Sequence, residues 1–311
     1  MTTFLILTRA VHIGSCLLFF GIFVFDCMIV CGSARSSSET GDDGKNYLGL
    51  YSLILLPIIL ISGAIWFVLV AVAMSGQPLQ METLKIVWTQ TQFGTVWEIR
   101  LDFLLMAIIV ATVFCFLKSQ GLIKKLVAWF LLAIGTCLLG SLAWAGHGRE
   151  NSPWHLFADV LHLLAAGIWP AGLLPLFLLL RKSQRAATPE DSILMAQIVR
   201  RFSAMSLAAV SLLTITGLIN SWFLVGSFSN LFGEPYGRWL LAKVILFCAV
   251  LAIASVNLLR LKPRLLIEGL QPEKAHATVA QLQRNVRLEL LFGTIIIVIV
   301  AILGILPPAF H

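Results

Sequence analysis

Eight long apolar runs constrain this chain more than any other feature of its sequence. Each is close to the roughly 20 residues that an α-helix needs to cross about 30 Å of hydrocarbon. A segment in lipid must satisfy its backbone hydrogen bonds internally, and a helix does so. The sequence therefore predicts an all-α fold, a polytopic bundle of eight transmembrane helices in one integral membrane domain over residues 1–311. The predicted spans lie at about 4–31, 48–74, 93–117, 123–146, 155–180, 199–226, 237–261 and 286–306.

The composition supports a membrane protein. Hydrophobic residues make up 59% of the chain and charged residues 12%, whereas about a quarter of the residues in a soluble domain are charged. The net charge of +7 is explained by basic residues that flank the spans, so we expect the lipid bilayer as a partner and no nucleic acid. The first run, 4–31, is long enough to span the membrane and lacks a small-residue cleavage pattern, which is typical of a signal anchor.

Lysine and arginine are distributed unevenly between the two sides of the predicted bundle. The loops after spans 1, 3, 5 and 7, with the adjoining ends of the spans, contain sixteen of the 22 basic residues. Basic residues concentrate on the cytoplasmic side of membrane proteins. We therefore expect both termini to face away from the cytoplasm.

The segment 144–175 carries polar residues in an apolar setting. If it is helical from Pro153 onward, steps of four, three and seven residues place His155, Asp159, His162 and Trp169 on one stripe, because each step nearly completes whole turns. Polar side chains inside a membrane are costly and usually face the bundle interior or a water-filled cavity. We interpret this stripe as the working site.

Two more histidines are expected at the same depth. His12 lies near the outer end of span 1 and His147 ends span 4, so that with His155 and His162 four histidines from three spans share one side. Imidazole is a common ligand of copper, zinc and iron, and a carboxylate such as that of Asp159 can orient a ligand imidazole. These residues predict a metal site; a buried polar network that fixes helix packing is the alternative.

Other residues could support such a site or line a path to it. Cys16 follows His12 by four residues and shares its helix face, and a histidine with a cysteine suits Cu(I). A single cysteine in an apolar helix more often serves as a packing residue. We place Cys16, Asp159 and Trp169 beside the predicted ligands, whereas His276 lies in a long loop and is expected at the surface.

The remaining intramembrane polar residues favour structural roles. Arg100 in span 3 predicts a carboxylate partner elsewhere, because an unpaired charge in hydrocarbon is expensive. Asn220, Asn257 and Glu289 predict interhelical hydrogen bonds, and a small residue such as Gly167 predicts a close helix contact.

The chain contains neither a P-loop, nor a dinucleotide glycine fingerprint, nor a nucleophile elbow. These motifs are the usual sequence signs of phosphate binding and of acyl-transfer chemistry. ATP-driven pumping by this chain alone is therefore disfavoured, and we expect a binding or transport protein that is not an enzyme.

Several stretches carry a family resemblance. They are AGHG (145–148), DVLHLLAAGIWPAGLLPL (159–176), YGRWLLAK (236–243) and RNVRLELLFGTIIIVIVAILGILPPAFH (284–311). Together they resemble the copper-resistance D (CopD) family of bacterial inner-membrane proteins. The chain departs from the family pattern at Pro170, where the sequence after the tryptophan is Pro-Ala-Gly in place of Val-Gly-Gly, and this proline predicts a kink.

The resemblance implies a copper homeostasis or resistance protein of the bacterial inner (cytoplasmic) membrane. On this interpretation the multi-pass chain, with both termini periplasmic, binds a copper ion, Cu(I) or Cu(II), at a periplasm-facing histidine site and moves it across the membrane. The resemblance also implies a periplasmic copper-binding partner of the CopC type. Two alternatives stay open: a b-type cytochrome with haem b between histidines such as His12 and His162, and a scaffold for a periplasmic copper chaperone.

Overall fold

The computed structural model describes residues 2–30, 43–116, 121–145, 152–183, 189–268 and 272–309. Within these ranges the chain is helical, and eight segments are long and apolar enough to cross a membrane, which confirms the predicted all-α bundle. We number them span 1 to span 8: Thr2–Val30, Gly49–Ser75, Gln92–Phe116, Leu122–Ala145, Pro153–Lys182, Leu194–Val225, Pro235–Leu265 and His276–Leu303.

The α-helices run Thr2–Val24, Asp43–Ser75, Met81–Gln90, Gln92–Phe116, Leu122–Gly140, Pro153–Ile168, Leu173–Ser183, Pro189–Val225, Phe228–Gly233, Pro235–Val256, Lys262–Glu268 and Pro272–Leu303. A 3₁₀-helix follows at Ser141–Ala145, and π-helical segments occupy Phe25–Val30 and Asn257–Leu261. The helix Met81–Gln90 lies between spans 2 and 3. It packs its Trp88 against Phe67 of span 2, with ring centroids 5.3 Å apart.

Span 1 lies at the centre of the bundle. In its most apolar 18-residue stretch 72% of the residues are buried, and the span contacts spans 2, 4, 5 and 8. Its contact with span 5 is close because Gly167 has no side chain: a Cβ there would lie 2.8 Å from Cε1 of Phe20 and 3.0 Å from Leu139. The close helix contact predicted for Gly167 is therefore confirmed.

Spans 5 to 8 pack together and share an apolar core that includes Trp169, Phe202 and Leu282. Span 5 pairs with span 6, span 7 pairs with span 8, and the second half of span 5 contacts span 8. Successive spans run antiparallel, so the start of span 5, the end of span 6 and the start of span 7 lie at one end of the bundle.

Span 5 is broken near its middle, as Pro170 predicts. The first helix ends at Ile168 and the second begins at Leu173, because a proline cannot donate the next backbone hydrogen bond and its ring clashes with the carbonyl of the preceding turn. Trp169, at the break, is 2% exposed and packs edge-on against Phe247 of span 7, with ring centroids 6.2 Å apart.

Candidate functional site

The polar stripe predicted on span 5 is present and faces span 6. His155 is 1% exposed, and its ring stacks on Phe223 with centroids 5.0 Å apart and planes inclined by 19°. One turn along span 5, Asp159 accepts a hydrogen bond of 3.2 Å from the side-chain amide of Asn220. Residues three or four apart on a helix share a face, so two antiparallel helices can pair their side chains turn by turn. The interhelical hydrogen bond predicted for Asn220 is confirmed.

His162 is the third member of this stripe, and its ring orientation is fixed by span 6. Its Nδ1 lies 2.9 Å from Oγ1 of Thr216, and that hydroxyl already donates to the carbonyl of Leu212 at 2.6 Å. Thr216 must therefore accept from the imidazole, which puts the hydrogen on Nδ1 and leaves a lone pair on Nε2. Gly217 gives the ring room, since a Cβ there would lie 3.4 Å from Cε1 of His162.

Lys243 of span 7 completes the cluster. Its Nζ lies 3.5 Å from Nε2 of His162, and its ammonium interacts electrostatically with the carboxylate of Asp159. This role of Lys243 was not predicted from the sequence. The signal was its position within an apolar span, where an ionisable residue indicates a functional site by default.

The hydroxyl of Thr216 orients the ring of His162, and the support of a ligand imidazole by Asp159 stays a prediction. A ligand imidazole is usually oriented by an acceptor on its second nitrogen. At His162 that acceptor is the Thr216 hydroxyl, while Asp159 lies one turn away beside Asn220. Asp159 therefore belongs to the same cluster, but it is not the group that accepts the hydrogen bond of the His162 ring.

His12 lies in a second cluster, formed with spans 2 and 3. Its Nδ1 is 3.1 Å from the carbonyl of Ile59 and 3.1 Å from Oγ of Ser62. A carbonyl only accepts, so the hydrogen of His12 is on Nδ1 and its Nε2 accepts from Nη2 of Arg100 at 2.7 Å. Both ring nitrogens of His12 are therefore engaged by protein groups. As predicted from their spacing, Cys16 lies beside this ring, with its Sγ 3.8 Å from Nε2.

The partners of Arg100 differ from the carboxylate that was predicted. Its other contacts are the carbonyl of Leu138 at 2.7 Å, the hydroxyl of Ser141 at 2.5 Å and the thiol of Cys16 at 3.8 Å. The sequence predicted a carboxylate partner, whereas these partners are neutral oxygen and sulfur acceptors. A guanidinium carries five donors in a fixed fork, which suits such dispersed acceptors.

Aromatic rings surround the His12 cluster. Trp66 and Trp97 each lie 5.4 Å from the His12 ring, and the guanidinium of Arg9 lies over Trp66 at 4.7 Å. A cavity of about 230 Å³, lined by His12, Trp97, Arg100 and apolar side chains, lies beside them. These contacts form a packed polar core that joins spans 1 to 4.

The structure thus divides the predicted ligands between two clusters. His155 and His162 face span 6, His12 contacts spans 2 and 3, and His147 lies outside the described residues. Across the part of the chain that the structure describes, no three His, Cys, Asp or Glu side chains gather as metal ligands. The convergence of all four histidines on one ion stays a prediction.

These features define a class: a multi-pass helical membrane protein with polar clusters buried between its spans. Two parts of the chain match known families. Residues 196–303 match the family described as copper resistance protein D, and residues 1–157 match the copper resistance protein D-like N-terminal domain. The chain belongs to the copper resistance protein D family.

Individual relatives agree with this assignment. The chain is 29% identical to copper resistance protein D of Pseudomonas syringae pv. tomato over 94% of this chain and 93% of that protein. It is 37% identical to the copper transport protein CutJ of Bacillus subtilis (strain 168) over 39% of this chain and 22% of CutJ. It is also 26% identical to the inner membrane protein YebZ of Escherichia coli (strain K12), over 70% of each chain.

Proposed function

We propose that this protein binds copper at His162 and passes it along the polar stripe of span 5. The names of two relatives, a copper resistance protein and a copper transport protein, support copper as the cargo. The observation that carries the proposal is the Nε2 lone pair of His162, held by Thr216 inside a polar cluster between spans 5, 6 and 7. Imidazole nitrogen is a good ligand for both copper oxidation states.

The stripe supplies successive positions for the ion. His155, Asp159 and His162 follow one another along span 5 at rises of about 6 and about 4.5 Å. An ion that exchanges one ligand at a time can move over such steps without leaving protein donors. His147, in the segment just before span 5, would be a further ligand at the entrance.

Lys243 has a defined part in this proposal. Its ammonium faces Nε2 of His162 at 3.5 Å, which is the direction from which an ion would bind. Copper binding at that nitrogen requires the ammonium to move aside, so that one cation replaces another near Asp159 and the local charge changes little. This exchange would reduce the cost of bringing a charged ion into the membrane.

Copper would enter from the periplasm. The basic residues in and beside the loops after spans 1, 3, 5 and 7 support a cytoplasmic location for those loops. The start of span 5 would then lie at the periplasmic side of the inner membrane. The donor would be a periplasmic copper-binding protein of the CopC type.

Copper binding by the detergent-purified protein tests the proposal. Wild-type protein should bind copper in about stoichiometric amounts by elemental analysis, and His162→Ala should lose it. His276→Ala is the matched control, because His276 is exposed near the start of span 8, away from the stripe. Equal copper loss in the two variants would overturn the assignment.

The absorbance spectrum of the same samples separates the alternatives. A Soret band with stoichiometric iron would replace the copper proposal by a b-type cytochrome. Wild-type protein that binds a CopC-type partner and no copper would replace it by a scaffold.

A further inference from the structure

A second polar cluster lies between spans 7 and 8. The side-chain amide of Asn285 donates to Oδ1 of Asn257 at 2.7 Å, and the amide of Asn257 donates to Oε1 of Glu289 at 2.6 Å. Glu289 is 2% exposed. The interhelical hydrogen bond predicted for Asn257 and Glu289 is confirmed, and the chain of amides ends on a carboxyl group.

The backbone is irregular at this cluster. Asn257 is the first residue of the π-helical segment Asn257–Leu261. Such segments are rare and are often found at functional sites, because an inserted residue re-aims a side chain and interrupts the regular hydrogen bonding. Here the irregular turn presents Asn257 to Glu289.

Glu289 and Asn257 line a cavity of about 120 Å³ between spans 5, 6, 7 and 8. Trp169 lies at the same cavity, and so does Ser206, which is 9% exposed and whose hydroxyl has no hydrogen-bond partner among the described residues. A buried hydroxyl without a partner indicates a missing polar ligand such as water. A cavity of this size has room for several water molecules.

Among the described residues that line the cavity, Glu289 is the one with a titratable side chain. Spans 5, 6 and 7 contribute indole, hydroxyl, amide and apolar side chains, and no charged side chain in the described part of the chain acts on the carboxyl group. An ionised carboxylate in such a place is strongly disfavoured unless a cation accompanies it. The group therefore requires a proton or another cation.

The donor set favours a proton. Calcium takes six to eight oxygen ligands and magnesium demands six in a near-ideal octahedron, whereas this cavity offers one carboxyl, one amide and a few hydroxyl groups. Copper prefers nitrogen or sulfur donors, and these are scarce here. One carboxyl oxygen suffices to hold a proton.

We propose that Glu289 is a proton-binding site, loaded and unloaded through this cavity, and that its proton occupancy is coupled to copper movement at His162. The proton moves from a water molecule or hydronium ion to a carboxylate oxygen and returns by the same route. Asn257 lies fourteen residues beyond Lys243 on span 7, about 21 Å along the helix axis, so the two clusters lie near opposite sides of the membrane. Only the coupling rests on the proposed copper function; proton binding by Glu289 does not.

Trp169 provides the structural connection. It lies seven residues beyond His162 on span 5, at the break of that span, and lines the cavity of Glu289. A shift of the first half of span 5 on ion binding would move this indole, and with it one wall of the cavity.

Infrared difference spectroscopy tests proton binding without copper. Among the carbonyl bands of protonated carboxyl groups, one pH-dependent band should be present in wild-type protein, absent in Glu289→Gln and restored, shifted, in Glu289→Asp. Glu98→Gln is the matched control, because Glu98 is an exposed carboxyl group of span 3. A band that survives unchanged in Glu289→Gln would overturn the site.

Proteoliposomes with an internal pH dye test the coupling. Copper addition should move protons with wild-type protein and with Glu98→Gln, while Glu289→Gln should still bind copper and lose the proton movement. Proton movement equal to wild type in Glu289→Gln would overturn the coupling. Failure of wild-type protein to bind copper would overturn the proposed function and, with it, the coupling, and the infrared result would still decide the role of Glu289.

Discussion

Arg100 donates a hydrogen bond of 2.7 Å to Nε2 of His12, across 88 residues of sequence. The same guanidinium also holds the carbonyl of Leu138 and the hydroxyl of Ser141. One side chain therefore ties span 1 and span 4 to its own span 3. The bond also determines which nitrogen of His12 carries the hydrogen, since the guanidinium can only donate.

We expect Arg100→Lys to destabilise the protein. A lysine ammonium lacks the planar fork that reaches three acceptors at once, so at least one buried acceptor loses its donor, at a cost of about 1–3 kcal/mol. Thermal unfolding in detergent should show a lower midpoint. Arg238→Lys, at an exposed position near the start of span 7, should leave the midpoint unchanged; a similar loss in both variants would contradict the role of Arg100.

His12→Ala should separate the two histidine clusters. Because both ring nitrogens of His12 are bonded to protein groups, its removal should lower thermal stability by about 1–3 kcal/mol and leave copper stoichiometry intact. Elemental analysis of folded protein gives the answer. Loss of copper from folded His12→Ala would instead support the four-histidine site predicted from the sequence.

Thr216→Val should weaken copper binding without removing it. The valine keeps the shape of threonine and deletes the acceptor that orients His162, and such orienting groups contribute about 10- to 100-fold in metal affinity. Competition with a copper chelator measures the change. Thr214→Val is the matched control: its hydroxyl also bonds to a carbonyl one turn earlier, that of Val210 at 2.9 Å, but the residue is exposed. Thr216→Val should bind copper more weakly than Thr214→Val. Equal copper affinities of the two variants would refute the role of Thr216.

Gly167→Ala should disturb the contact between spans 1 and 5. The added Cβ would overlap the ring of Phe20 and approach Leu139 to 3.0 Å, and overpacking of this kind costs about 1–3 kcal/mol. Gly293→Ala in span 8 meets nothing within 4 Å and should be neutral or slightly stabilising, because alanine favours a helix. Thermal unfolding of the two variants side by side tests the difference.

The spans were predictable because lipid imposes both the length and the apolarity of each helix. The face shared by His155, Asp159 and His162 was also predictable, since it depends only on the helical repeat within one segment. The break of span 5 followed from the chemistry of Pro170. Each of these features is local in sequence.

What could not be predicted is which helix each face meets. His12 and His162 look alike in the sequence, as histidines in apolar helices, yet Arg100 engages one and Thr216 the other. Lys243 was visible as an intramembrane charge, but its distance from His162 depends on the packing of spans 5 and 7. Helix contacts of this kind are set by the three-dimensional fit of side chains along whole surfaces, and one sequence does not show them.

The side-chain pairs between spans 5 and 6 also fix the register of the two helices. His155 matches Phe223, Asp159 matches Asn220, and His162 matches Thr216. Sliding span 5 by one turn, about 5.4 Å, would bring the carboxyl group of Asp159 against the phenyl ring of Phe223. It would also break the hydrogen bonds of Asp159 with Asn220 and of His162 with Thr216. The sequence thereby specifies a single register for this helix pair. The three side chains of the stripe stay at fixed intervals across the membrane.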